Sequence, residues 1–326
     1  MQRRKFIAAG LTASVASTLT PLTATPGKTP SPFPRVPAHK ASYKISLKGD
    51  AIGVNLGPME MIERAKKYGY EALSVPSQWI VPLNADGRKR FAAAMRTAGL
   101  RYGANGIPIE FRKSQEQFDG DLAALPEHAR ALQDIGVDRI GTWIMPMHAE
   151  RGYRENFDLH ADRLGRVAKV LADHGLRLGL EYVGTQSTRF SERFAFIGSG
   201  AETKELIDAM GVDNVGVVLD SWHWHNAREG ADAITMWDRE DIVAVDLNDA
   251  TPFLNFSTYA DLSRELPGAT GVIDLTTFLG TLNEIGYDGP VRAEPFSASL
   301  NAMRPELSLP ATFEAIHGAI EKAGLA

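Results

Sequence analysis

Four apolar runs in the second half of this 326-residue chain each carry an acidic residue near their end. They are "RLGLEYVG" with Glu181, "NVGVVLDSWH" with Asp220, "DIVAVDLND" with Asp246 and "VRAEPF" with Glu294. If these runs are neighbouring strands, four carboxylates converge on one rim, where they repel unless a cation or shared protons stand between them. A divalent ion is the economical solution. The all-oxygen donor set favours a hard ion, Mn²⁺ or Mg²⁺, while His223, just beyond Asp220, keeps Zn²⁺ or Co²⁺ open. Four carboxylates around one dication leave about two formal negative charges, so at least one group is available as an acid or base.

Taken singly, each acid has a plainer role. A lone carboxylate at a strand end is commonly a helix N-cap or a rim ion pair, which suits Asp246 considered alone and suits Asp249 better still. Trp143, Trp222, Trp224 and Phe296 fit either packing or a platform for the C–H faces of a sugar ring. His148 and His225 read as surface histidines.

The elements that must position the acids alternate with regularity. Strand-like runs begin at "AIGVNLG" (residue 51), "YEALSVPS" (70), "RYGANGIPI" (101), "DRIGTWIMP" (138) and then at the four acidic runs. Between them lie amphipathic stretches such as "MEMIERAKKYG", "AETKELIDAMG" and "IDLTTFLGTLNEIG", each closing on a Gly suited to a left-handed helix cap. Alternating helices with continuously apolar strands predict an α/β chain whose parallel sheet closes into a (β/α)8 TIM barrel. An open doubly wound sheet would carry a Gly-rich phosphate loop after its first strand, and "GVNLGPMEM" is not one. In a barrel the reactive groups belong at the C-terminal strand ends, where the acids stand.

Composition narrows the function further. A formal net charge of −5 gives no electrostatic footing for nucleic acid. The charge points to a small neutral partner or one reached through a cation, for which the aromatic residues would suit a carbohydrate, with a homo-oligomer left open. The absence of Cys removes disulfides, thiolate ligands and a Cys nucleophile. The start, "MQRRKFIAAGLTASVASTLTPLTA", pairs Arg3 and Arg4 ahead of an Ala/Thr/Ser-rich apolar stretch and resembles a twin-arginine export signal. Residues 1–24 are therefore expected to be a signal peptide directing the protein to the periplasm, with no stable membrane span once it is cleaved. Residues 25–49 are expected to be a Pro-rich linker and lead-in, and 50–326 a single barrel domain.

Residues 50–325, most clearly in the second half, also resemble the sugar phosphate isomerase/epimerase proteins of the xylose-isomerase-like TIM barrel superfamily. The likeness rests on "LGLEYVG", "NVGVVLDSWHWH", "IVAVDLNDA" and "LPGATGVIDLTTFLGTLNEIGYDGPVRAEPF". It implies metal ligation by Glu181, Asp220, Asp246 and Glu294, with Asp246 standing where the family more often has His. It also implies proton transfer by Glu181 and Glu294 through an enediolate, with His223, Asn248 and Arg264 touching substrate oxygens. Three other functions stay in view: a metal-dependent lyase or hydrolase on an oxidised glycoside, an endonuclease-IV-like nuclease, and a non-catalytic sugar-binding protein.

Overall fold

The computed structural model describes residues 39–326. The expected signal segment and the linker as far as residue 38 lie outside the described residues.

The strands are β1 Lys44–Leu47, β2 Ala72–Leu73, β3 Arg101–Tyr102, β4 Asn105–Gly106, β5 Arg139–Ile144, β6 Met147–His148, β7 Arg177–Tyr182, β8 Phe194–Ala195, β9 Val215–Asp220, β10 Ile242–Leu247 and β11 Pro290–Ala293. Nine of them form one sheet in the order β3-β2-β1-β11-β10-β9-β7-β5-β4, and β6 with β8 makes a separate antiparallel pair. Every pairing in the large sheet is parallel. Its two terminal members, β3 and β4, are separated in the chain only by Gly103 and Ala104. They are the halves of one interrupted stave, and the sheet closes through them into the expected TIM barrel.

The first stave differs from the sequence expectation. It is Lys44–Leu47, whereas the stretch at Ala51 forms a 3-10 turn over Asp50–Ile52 that ends at Gly53, φ 71°. A positive φ suits Gly and cannot continue a strand, so "AIGVNLG" turns away from the sheet while "KISL" supplies its ladder. The barrel therefore begins ahead of residue 50.

The helices wrap the outside, and their caps follow the local chemistry. Ser114, Ser199 and Asp274 accept the N–H groups of Gln117, Glu202 and Thr277 at the starts of Gln115–Ile135, Gly200–Met210 and Leu275–Glu284. The barrel interior is narrow: a Cβ on Gly179 would lie 2.8 Å from side-chain atoms of both Val218 and Val243. Ala104, Val218 and Ala244 make a small cluster apart from the main core. Among the described residues, no helix is long and apolar enough to cross a membrane.

Candidate active site

Asp220 ends β9 and does two jobs. Its Oδ1 accepts the backbone N–H of Trp222 at 2.7 Å, capping the short helix Ser221–Asn226, and also accepts Asn248 Nδ2 at 2.9 Å. Its Oδ2 accepts Arg264 Nη1 at 2.7 Å. β10 runs beside β9 with Asp246 opposite Asp220, and β11 runs beside β10 with Arg292 opposite Asp246. The side-chain period of two then sets Glu294 on the same face as Arg292. All four acids reach the rim, and Asp220, Asp246 and Glu294 are buried.

The rim also carries cations. Arg292 donates Nε and Nη2 to the two oxygens of Asp246, the second at 2.9 Å, and Nη1 to the carbonyl of Ala104 at 2.7 Å. Lys48, the residue after β1, places its ammonium on Glu294 Oε1. Arg264 reaches Asp220, the Glu294 carbonyl at 3.3 Å, the Asp261 carbonyl at 2.8 Å and Asp261 Oδ1 at 3.1 Å. Its guanidinium lies 4.7 Å from the ring centre of Phe296. These contacts commit Arg264 to holding Asp220, Asp261 and the Glu294 backbone.

Charge and burial separate the proton affinities of the acids. Burial, then the charges of Glu294, Asp220 and Asp246, push Glu181 well above the usual carboxylate range. Burial also raises Asp220, to about 7, against the opposing pull of Arg264. Burial acts to raise Glu294 too, but Lys48, Arg264 and Arg292 overcome it and hold that carboxyl at about 2. Burial acts to lower the proton affinity of Lys48, but Glu294, Asp246 and Asp50 together overcome it and keep it an ammonium. Burial and Arg264 keep His223 neutral, with its ring nitrogens 3.3 Å from Gly184 N and from Arg264 Nη2.

The donor atoms are close enough to hold an ion. Ligand atoms of Glu181, Asp220 and His223 lie within 4.8 Å of one another, as do those of Glu181, Asp246 and Glu294. Glu181 belongs to both groups, and its buried Oε1 has no hydrogen-bond partner among the described residues. A divalent cation fits this donor set, with Glu181 supplying the uncommitted oxygen. Asn248 Oδ1 is likewise buried and without a hydrogen-bond partner among the described residues.

Every residue expected at the site therefore gathers here: Glu181, Asp220, His223, Asp246, Asn248, Arg264 and Glu294. Asp246 and Arg264 are engaged mainly with protein partners. Asp249 is a loop cap, accepting the N–H groups of Ala250, Thr270, Gly271 and Ile273. Trp222 and Trp224 pack in the core, while Trp143 is half exposed with Arg112 stacked 4.3 Å from its ring centre. Lys48, Arg292 and Asp261 escaped the sequence reading. The period-two rule applied to "VRAEPF" signals Arg292, because it lies two residues before Glu294.

The profile of the xylose isomerase-like TIM barrel family matches residues 62–317, and the chain belongs to that family. It is 26% identical over 267 residues to an inosose isomerase of Bacillus velezensis, covering 80% of this chain and 91% of that one. It is 30% identical over 145 residues to a ketose 3-epimerase of Arthrobacter globiformis, spanning 44% of this chain and 43% of that enzyme. A xylose isomerase domain protein from Alicyclobacillus acidocaldarius superposes with a TM-score of 0.76 at 30% identity, covering 86% of this chain and 99% of that one. The IolI protein, solved with a zinc atom bound, shares the fold with a TM-score of 0.72 at 19% identity, covering 86% and 99%. The relatives with named activities are isomerases and epimerases, and this chain is an enzyme.

Proposed function

We propose that the protein is a divalent-metal-dependent isomerase or epimerase of a ketose, keto-sugar or similar polyhydroxylated ketone. The observation that carries this reading is a pair of carboxyl groups, Glu181 and Glu294, whose oxygens lie within 4.8 Å while their surroundings drive their proton affinities apart. Such a divergence in the ion-free site suits the pair to proton transfer. Glu294 and Glu181 would remove the proton from the carbon beside the carbonyl and return one. Return from the opposite face gives an epimer, and return to the neighbouring carbon gives an isomer.

Glu181, Asp220 and Glu294 would hold the ion, Mn²⁺ or Mg²⁺ by the hardness of the oxygens, and it would polarise the substrate's carbonyl and adjacent hydroxyl. Arg264 steadies Asp220 at 2.7 Å and fixes its direction. Asn248 offers its free Oδ1 to a substrate hydroxyl. His223, neutral and buried, contributes a hydrogen bond without adding charge. The paired Arg3 and Arg4 support export to the periplasm, and a reporter fused to this segment should lose export when both are replaced by Lys.

The test is solvent deuterium incorporation, followed by proton NMR, over a panel of ketoses, keto-sugars and inososes with Mn²⁺ present. Exchange at the carbon next to the carbonyl is expected. Glu181→Gln and Glu294→Gln should each slow it by about 10²–10⁴-fold, the usual worth of a positioned acid or base. Exchange that persists undiminished in both variants would remove the two carboxyls from the chemistry.

A further inference from the structure

The acidic cluster is already partly neutralised from within. Glu181, Asp220, Asp246 and Glu294, with Asp261 against Arg264, face Lys48, Arg264 and Arg292, so with every group ionised five acids meet three cations. A dication arriving at Glu294 would meet the Lys48 ammonium on the same carboxylate in a buried place, unless a resident cation withdrew. The three are not equally able to withdraw. Arg292 is fixed by both oxygens of Asp246 and by the Ala104 carbonyl, and its side chain is 7% exposed. Arg264 is fixed by Asp220, Asp261 and the Glu294 carbonyl and is 2% exposed. Among the described residues Lys48 Nζ has one hydrogen-bond partner, the Glu294 carboxylate, and its side chain is 20% exposed, giving it a path to solvent. A lysine stem also has rotamer freedom that a clamped guanidinium lacks.

We propose that Lys48 is a built-in competitor of the divalent cation: the two contend for Glu294, and the ion binds as the ammonium leaves. The proposal rests on the reading that this cluster holds an ion. It assigns Arg292 the opposite part, a permanent counter-charge that keeps Asp246 out of the exchange. Ion binding and the position of Lys48 are then linked, and a neutral side chain at 48 removes the competitor.

The test is calorimetric titration of the EDTA-treated full-length protein with MnCl₂, without substrate, so its outcome is independent of whether deuterium exchange is found. Lys48→Met is expected to bind Mn²⁺ at least tenfold more tightly than the unaltered protein, and Lys48→Arg no more tightly than it. Equal or weaker binding by Lys48→Met overturns the proposal, as does absence of Mn²⁺ binding in both proteins. A second measurement needs no variant. Acetylation of Lys48 by an N-hydroxysuccinimide ester, quantified by peptide mass spectrometry, is expected to accelerate severalfold when Mn²⁺ is added. An unchanged rate is contrary to release of the ammonium.

Discussion

Glu181 and Glu294 are the same residue type in the same cluster, and what stands beside each decides its charge. Glu294 has an ammonium on one oxygen, whereas Glu181 has a buried Oε1 with no partner at all. Asp246 illustrates the converse, an acid whose charge is fully answered by one guanidinium. Removing that guanidinium while leaving the acid buried is costly, so Arg292→Met should destabilise the protein by about 3–5 kcal/mol in urea unfolding. A loss below about 1 kcal/mol would mean that Asp246 finds another answer to its charge. The acids were legible in the sequence because each interrupts an apolar run. Their counter-ions were less so: Arg292 sits inside such a run, where Arg invites reading as an edge position, and Lys48 follows a strand that local composition placed seven residues too late.

At the scale of elements, the long connection after β10 is organised by Asp249. Its Oδ1 takes the N–H of Ala250 and Ile273, its Oδ2 those of Thr270 and Gly271, and its backbone pairs with Glu265 next to Arg264. Burial opposes the charge, but these donors prevail and hold the carboxyl below its ordinary value. A depressed folded-state pKa contributes stability above the unfolded value, about 3.9, and that contribution fades as pH falls through the folded one. Asp249→Asn would turn an amide N–H₂ toward two backbone donors. It should cost about 1–3 kcal/mol at neutral pH, with the deficit shrinking below about pH 4 in acid unfolding curves. Because the loop carries Arg264, the same change should weaken the hold on Asp220. The long six-residue strands β5, β7, β9 and β10 were readable as largely apolar runs, whereas the pairings of β2, β3 and β4 span only two residues each and leave a faint trace in composition.

For the whole molecule, internal cations should let the barrel assemble without an ion. Protein dialysed against EDTA should keep a single cooperative thermal transition. Mn²⁺ at about a hundred times its dissociation constant should add about 2.7 kcal/mol by mass action. Collapse of the far-ultraviolet signal on chelation would show that the side-chain cations do not suffice. The overall architecture was legible because eight alternations admit few closed solutions; the point of closure was not, since it lies in a stave broken at Gly103 and Ala104.

That broken stave makes the cylinder unequally laced. On one side ladders of three to six residue pairs bind the acid-bearing staves into a stiff wall; on the other, two-residue stitches join β2 to its neighbours and draw the seam shut. Amides in residues 72–73 and 101–106 should therefore exchange with deuterated solvent ahead of those in 177–182 and 215–220. The wall that carries the carboxylates is the anvil of the machine, and Lys48 hangs from the stave beside its slackest lacing.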